Sequence, residues 1–432
     1  MSNAEQLGAG AVFRPNSTPT LTYVRRTRDY EQELRDALAS GSVVSLTGPS
    51  KSGKTVLATK VVEPARACYV NCSTTSKSAD FWREVLRKLG GASQRETEES
   101  AQETEEAETT VGGGANALVV SGKVEHTTRK EMGKGTSSRV VYDATVGSAI
   151  DSLVDSHRSL IIDDFHYLAS VTQRIIARQV KGAAFRGVPV VILSVPYRGD
   201  DPVLRVPDLV GRVARVGLEP WNEDELVTIS EAGFPALNAS IDPAAANSLA
   251  RESIRSPQLM QLLCLETCYA KGLRTRSEIP RSVSLTGVEL AGITSRAAAA
   301  IDYSSILQAL SAGPRKRHER TIYQLINGTE GDLYRVALAS LSIDPIKTSI
   351  DYEELKQRTA RVCASDKRPI GRAIQGALEW MSNKARSISR QLKPQQEPVL
   401  EWRSIPSVLE LPDPYFTFYL RWREFPGLAA PG

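Results

Sequence analysis

One octapeptide constrains this chain more than any other stretch of it. Gly48-Pro49-Ser50-Lys51-Ser52-Gly53-Lys54-Thr55 fits G-x-x-x-x-G-K-[ST] without a mismatch. The apolar run Ser42 to Thr47 before it reads as a buried strand, and Val56 to Val62 after it can continue as a helix. Strand, glycine-rich turn and helix are the parts of a phosphate-binding loop. The glycines let the backbone turn so that successive N–H groups face one anion, and the positive end of the following helix is aimed the same way. In such a loop Lys54 reaches the β- and γ-phosphates and the Thr55 hydroxyl completes a magnesium shell. The expected cofactors are therefore ATP and Mg²⁺. The phosphate contacts are expected from Gly48, Pro49, Ser50, Lys51, Ser52, Gly53, Lys54, Thr55 and Val56. A Gly/Ser-rich surface turn gives no reason for Lys-Thr to close it.

A second motif supplies the acids that such a loop needs. Leu160-Ile161-Ile162-Asp163-Asp164 is an apolar strand ending in two carboxylates at its C-terminal edge, where parallel sheets bind ligands. Asp163 is expected to hold Mg²⁺ and Asp164 to polarise the attacking water. An acid-capped strand is common by itself; the preceding phosphate loop is what gives this one a function.

At 432 residues the chain exceeds one compact core, and about 150 residues per domain implies two or three. No apolar run approaches the ~20 residues that span a bilayer. The polar stretch Met1 to Thr20 lacks the order of a secretory signal, which implies a cytoplasmic location and no membrane partner. The five cysteines are too few for a disulfide scaffold. Cys68 and Cys72 lie in a strand, too far apart to chelate one ion, and Cys264 and Cys268 lie in an apolar helix, so all read as reduced core thiols. Net charge is only +4, and the region from Arg281 onward holds 21 Lys/Arg against 16 Asp/Glu. That excess is too small to specify nucleic acid.

Strand–helix alternation continues through Ala67 to Asn71 and a helix near Ala79 to Leu89, which predicts a parallel sheet. It breaks where Glu96 to Glu108 carries seven glutamates and no Lys or Arg, followed by Gly112-Gly113-Gly114. Residues 92–145 read as an insertion, an acidic linker and then a hairpin with a Gly/Lys-rich centre. The alternation resumes with a helix over Ala149 to Ser156, the Asp163 strand, a helix from Val171 to Phe185 and a strand from Val188 to Val195. Helices then dominate from Asn222, where Asn222-x-x-Glu225 has the form of a capping box. Further helices are expected around Ser305 to Leu310, Asp332 to Ser342 and Arg372 to Arg386, and strands at Val399 to Trp402 and Ser407 to Leu411.

Asp163-Asp164-Phe165-His166-Tyr167-Leu168 resembles the D-D-[FY]-H stretch of STAND signalling ATPases, and more loosely the D-E-x-H of transposition and origin-recognition ATPases. The second acid is shorter than the Glu usual in AAA+ enzymes. Other segments fit the same resemblance. Ser194 ends a strand where AAA+ and STAND proteins place a polar sensor of the γ-phosphate. Leu209 to Pro220 is similar to the segment in which an arginine precedes the last core strand, which makes Arg212 a trans-acting finger, with Arg215 and Arg205 behind it and a structural salt bridge as the competing reading. Arg255-Ser256-Pro257 stands where the lids carry their Gly-x-Pro or sensor motif, so Pro257 joins the nucleotide contacts, although the family glycine is replaced. Tyr23 and Val24 precede the first helix in the segment that packs by adenine in many P-loop ATPases; plain packing explains them equally well. Leu411 to Trp422 is similar to the aromatic ending of winged-helix regions in prokaryotic STAND-like ATPases.

The resemblance implies an α/β P-loop NTPase, ASCE/AAA+-like, with a parallel sheet core over residues 1–220, a helical lid over 221–290 and a winged-helix domain over 291–432. It implies an ATP-hydrolysing molecular switch in which Lys54, Asp164 and Arg212 are catalytic and Thr55 and Asp163 hold the metal. The expected partners are further copies of the chain and a second protein, with DNA as an added candidate. Two alternatives stand: a DNA-associated ATPase of the transposition or replication-initiation kind, and a nucleotide-binding scaffold without turnover in an anti-phage defence system.

Overall fold

Five short strands carry the N-terminal half. They are β1 (Val43–Thr47), β2 (Ala67–Asn71), β3 (Ser159–Asp163), β4 (Val190–Ser194) and β5 (Val213–Gly217). All pair in parallel, in the order β2-β3-β4-β1-β5. Every residue of β4 is buried, as are four of the five in β1 and in β3. Continuous apolar runs follow from a sheet covered on both faces. The structure is a computed structural model, and it describes residues 7–75, 77–90, 145–195, 211–315, 319–364, 367–392 and 398–428. The expected acidic linker and hairpin lie outside these residues, as does Arg205.

The chain divides into two compact units. One comprises Glu31–Thr47 and Leu57–Gly217, the other Met1–Tyr30, Gly48–Val56 and Leu218–Gly432. In the first, the sheet is flanked by α1 (Tyr30–Ala39), α2 (Lys54–Val61), α3 (Ser78–Lys88), α4 (residues 145–155) and α5 (Ser170–Phe185). Phe81, Trp82 and Val85 of α3 share a core with Cys68, Val70, Leu160 and Ile162 of the sheet. The described cysteines are all buried free thiols, and burial pushes the Cys68 thiol up to about 11.

The second unit begins its helices at α6 (Glu223–Ala236), whose capping box is formed as its sequence requires: Asn222 Oδ1 accepts from Glu225 N–H, and Glu225 accepts from Asn222 N–H. Two further helices follow, α7 (Pro243–Glu252) and α8 (Pro257–Ala270), and both open with proline after a side-chain cap, from Asp242 and Ser256. Two features were not legible. A two-stranded parallel pair, β6 (Ala239–Ile241) with β7 (Arg281–Val283), interrupts the stretch expected to be helical from Asn222, and the helix α9 (Gly287–Ala299) follows where sequence reading set no bounds for one. Their apolar residues, Ile293 and Ala297 of α9 and Val283 of β7, are few and gain their burial from α6 to α8.

Beyond α10 (Ser304–Ser311) and a small hairpin, β8 (Tyr323–Gln324) with β9 (Glu330–Gly331), the order is α11 (Leu333–Ser340), β10 (Ser349–Asp351), α12 (Tyr352–Val362), α13 (Gly371–Leu392), β11 (Glu401–Ser404) and β12 (Ser407–Glu410). The last strands form an antiparallel sheet ordered β10-β12-β11. The chain ends its description in α14 (Pro414–Tyr419) and a single π-helical turn, Leu420–Glu424. That turn is anchored by Arg421, 2% exposed, whose guanidinium pairs in two places with Glu252 of α7, at 2.9 and 3.0 Å. Trp422 Nε1 donates to the same carboxylate at 2.8 Å.

Candidate functional site

Thr47 ends β1, and the phosphate loop follows from the C-terminal edge of the sheet before Lys54 opens α2. Two backbone positions explain its glycines. A Cβ on buried Gly48 would lie 2.8 Å from Leu218 Cβ and 3.1 Å from Leu218 O, so any side chain there would force Leu218 to shift. Gly53 has φ +92°, a conformation that L side chains rarely adopt. Lys51 also lies in the left-handed region, at φ +59°. The Lys54 ammonium turns under the loop and donates to Gly48 O at 3.0 Å and Pro49 O at 2.7 Å. An entering phosphate would exchange for these carbonyls. Trp221 clamps the far side, its indole N–H donating to Ser52 O at 2.9 Å.

Trp221 belongs to a cluster that sequence reading left unassigned. Arg26 stacks over its ring at 4.7 Å and donates to Glu225 at 2.7 and 3.2 Å and to the carbonyls of Glu219 and Pro220. Thr27 N–H also donates to Glu225, at 3.1 Å. Burial raises the Glu225 carboxyl, but Arg26 and the N–H groups of Asn222 and Thr27 outweigh it and hold the group below its ordinary value. The segment bearing Tyr23 and Val24 is thus tied at one end to α6. At the other it is tied to α8, where Gln261 donates to Thr22 Oγ1 at 2.7 Å. Tyr23 and Val24 are both half-buried, and Val24 packs on the core formed by α6 to α9.

The two acids lie past a different strand of the same sheet edge. Asp163, the last residue of β3, is 5% exposed, and each of its oxygens is engaged. Oδ2 accepts from the Tyr69 hydroxyl at 2.7 Å and Oδ1 from Asp164 N–H at 2.8 Å. Asp164 has left the strand for left-handed backbone, φ +57°, which Asp tolerates better than most residues. Its Oδ2 accepts from Asn71 Nδ2 at 3.0 Å. Tyr69 and Asn71 alternate along β2, and β2 pairs with β3 so that Asn71 is opposite Asp163. Burial, then the charge of Asp163, pushes the Tyr69 hydroxyl up, which keeps it a donor. The period-2 pattern of β2 could have placed both residues on one face, but only the pairing register brings them to the acids.

β4 lies between the strand that leads to the loop and the strand that leads to the acids. Ser194 ends β4 opposite Thr47, is fully buried, and its hydroxyl has no hydrogen-bond partner among the described residues. Ser52 Oγ in the loop is in the same condition. His166 Nδ1 accepts from Val195 N–H at 3.4 Å, so its ring is docked beside β4. Arg212 is exposed immediately before β5, where its carbonyl accepts from Val43 N–H at 3.1 Å. Arg215 is exposed within β5. Pro257 is the first residue of α8, after exposed Arg255 at φ +57°.

The loop by itself suits a phosphate: it has a glycine crowded by Leu218, a lysine held on two carbonyls and a buried Ser52 hydroxyl without a partner among the described residues. Thr55 in the loop and Asp163 at the end of β3 each carry a hard oxygen donor of the kind Mg²⁺ takes. When bound, the metal supplies charge neutralisation for the phosphates. Asn71 orients the Asp164 carboxylate through the 3.0 Å hydrogen bond to its Oδ2.

A parallel sheet in this strand order, with a phosphate loop after β1, paired acids after β3 and a buried serine closing the strand between them, defines a P-loop NTPase core of the AAA+-like class. Residues 38–196 match the protein-family model described as the AAA domain, a span that includes the loop, both acids and Ser194. Three solved structures are similar over most of the chain. Cdc6p from Pyrobaculum aerophilum shares 13% identity, covering 96% of this chain and 97% of that one, with a TM-score of 0.41. The Walker-type ATPase paby2304 of Pyrococcus abyssi shares 11%, covering 93% and 100%, with a TM-score of 0.47. The Aeropyrum pernix Orc1 protein, solved in complex with DNA, shares 13%, covering 97% of each chain, with a TM-score of 0.42.

Among the described residues, no helix is long and apolar enough to cross a membrane.

Proposed function

We propose that the protein is an ATP-hydrolysing molecular switch of AAA+/STAND type, with an ATPase core over 1–220, a lid over 221–290 and a winged helix over 291–432. The observation that carries this reading is the combination of the Gly48–Thr55 loop with the oriented pair Asp163 and Asp164. In it Lys54 and the loop amides bind the β- and γ-phosphates, Thr55 and Asp163 hold Mg²⁺, and Asp164 polarises the attacking water. Ser194 senses the γ-phosphate, Pro257 opens the lid helix, and Tyr23 and Val24 face the base. Exposed Arg212 acts in trans on the nucleotide of a neighbouring copy. ATP turnover by the wild type against Asp164→Asn and Lys54→Ala tests the assignment. Turnover should fall by about two orders of magnitude or more in Asp164→Asn with nucleotide binding retained, whereas Lys54→Ala should lose binding. Equal turnover in wild type and Asp164→Asn would defeat it. Light scattering with and without a slowly hydrolysed ATP analogue tests Arg212: a monomer in both states excludes a finger in trans.

A second reading, association with DNA, is favoured by one specific feature. The succession α11, β10, α12, α13, β11 and β12 supports the winged-helix reading, and its 22-residue third helix is approached through exposed Lys367 and Arg368 and carries exposed Arg372 in its first turn. The N-terminal end of such a helix is the part that meets a DNA groove. Duplex binding whose affinity falls steeply with salt, and less steeply in Lys367→Ala/Arg368→Ala, is the expected result. Salt-independent binding would dismiss this role.

A further inference from the structure

The carboxylate of Asp413 stands against the phosphate loop. Its Oδ1 lies 2.7 Å from Lys51 Nζ, within the phosphate loop. The same ammonium is 4.0 Å from the centre of the Tyr415 ring. Asp413 is also the N-cap of α14 and accepts from Tyr415 N–H at 3.1 Å, while its second oxygen accepts from the Tyr303 hydroxyl. Burial, with the neighbouring Asp413 charge, pushes the Tyr303 hydroxyl up, so it remains a donor. The motif puts no constraint on Lys51, yet the left-handed backbone there turns its side chain to this carboxylate.

We propose that Asp413 is an affinity-setting residue of the phosphate loop: it competes with the phosphates of the nucleotide for Lys51, so that nucleotide binding and the contact of the Asp413–Tyr415 cap with the loop exclude one another. The proposal rests on the reading of the loop as an ATP site. A polyphosphate arriving at the loop would place negative charge beside Asp413 and offer Lys51 a stronger counter-ion. The exchange is reversible for two reasons. Lys51 and Asp413 remain 29% and 24% exposed, so their ion pair is partly solvated and weak by itself. After Lys51 leaves, Asp413 keeps the Tyr303 hydroxyl and the Tyr415 amide, so no buried carboxylate is stranded. Linkage then works in both directions: a cap held closed lowers nucleotide affinity by the factor with which nucleotide opens the cap.

The test is nucleotide affinity in Asp413→Asn, read with a fluorescent ATP analogue on the full chain. Asparagine keeps the N-cap of α14 and removes only the charge. Affinity should rise about three- to fivefold, with the gain shrinking at high salt. In a Lys51→Gln background the gain should shrink to what direct repulsion between Asp413 and the phosphates supplies, because the shared contact is already lost. Hydrogen exchange supplies an independent readout: amides of residues 411–419 should lose protection when wild type is saturated with the analogue, and Lys51→Gln should show that loss without nucleotide. Equal or weaker binding by a folded Asp413→Asn, or unchanged exchange on saturation, overturns the latch and leaves the ATP site standing. Failure of the wild type to bind any nucleotide overturns the ATP reading itself.

Discussion

Glu225→Gln would remove one charge from the cluster that supports the phosphate loop, and the structure sets the size of the effect. The carboxylate is 7% exposed and accepts from Arg26 Nε and Nη2, Thr27 N–H and Asn222 N–H. Glutamine keeps one oxygen for these donors and turns an N–H₂ towards the rest. Breaking a buried ion pair from one side costs about 3–5 kcal/mol. Arg26, however, retains the carbonyls of Glu219 and Pro220 and the face of Trp221, so its charge is not left bare. We therefore expect a loss of about 2–3 kcal/mol, or roughly 4–12 °C in the melting temperature of the unit that contains it. Thermal melting followed by circular dichroism measures it. The pH dependence has a definite sign. The folded-state pKa of Glu225 lies below the unfolded value of about 4.3, so its stabilisation is present above that value and is lost as pH falls through the folded pKa. The gap between wild type and variant should close in acid. A difference below about 0.5 kcal/mol at neutral pH, or one that persists unchanged into acid, would refute the view that this carboxylate holds Arg26 and α6 together.

Three further outcomes follow from single contacts. Gly48→Ala should weaken nucleotide binding in titration and cost about 1–3 kcal/mol in urea unfolding, because Leu218 backbone as well as its side chain would have to move. On the proposed assignment of Asp163 to Mg²⁺, Tyr69→Phe should raise the Mg²⁺ concentration for half-maximal turnover by about tenfold, since it removes a donor that orients the carboxylate; a proportional fall in turnover at every Mg²⁺ concentration would argue against that positioning role. Glu252→Gln should destabilise the unit holding α7 and the C-terminal turn by about 3 kcal/mol, whereas replacing Glu252 and Arg421 together by apolar residues should cost less than either single change, a comparison that thermal melts of the three variants can make.

Local pattern made much of the fold readable. β1, β2, β3 and the helices after each were legible because their apolar periods are unbroken, and the Asn222 capping box was legible because its two side chains serve the same helix end. The site was readable where its chemistry is contiguous, as in Gly48 to Thr55 and Asp163-Asp164. It was not readable where separate segments meet. Arg26 and Glu225 are 199 positions apart, and Lys51 and Asp413 are 362 apart. Nothing in the spacing of such residues announces a contact, because loop closure of any length can bring them together at a cost that grows only slowly.

The sequence by itself determined that this chain has a phosphate-binding loop on a parallel sheet with two acids at the same edge, since glycine, lysine and carboxylate in those places follow from backbone geometry and charge alone. Tertiary structure decided what holds those groups. It put Tyr69 and Asn71 on the acids through strand register, set Trp221 against the loop through α6, and gave Lys51 to a carboxylate from the far end of the chain. Hydrogen bonds and ion pairs act over a few ångströms in space, and that distance exists only after the chain has folded.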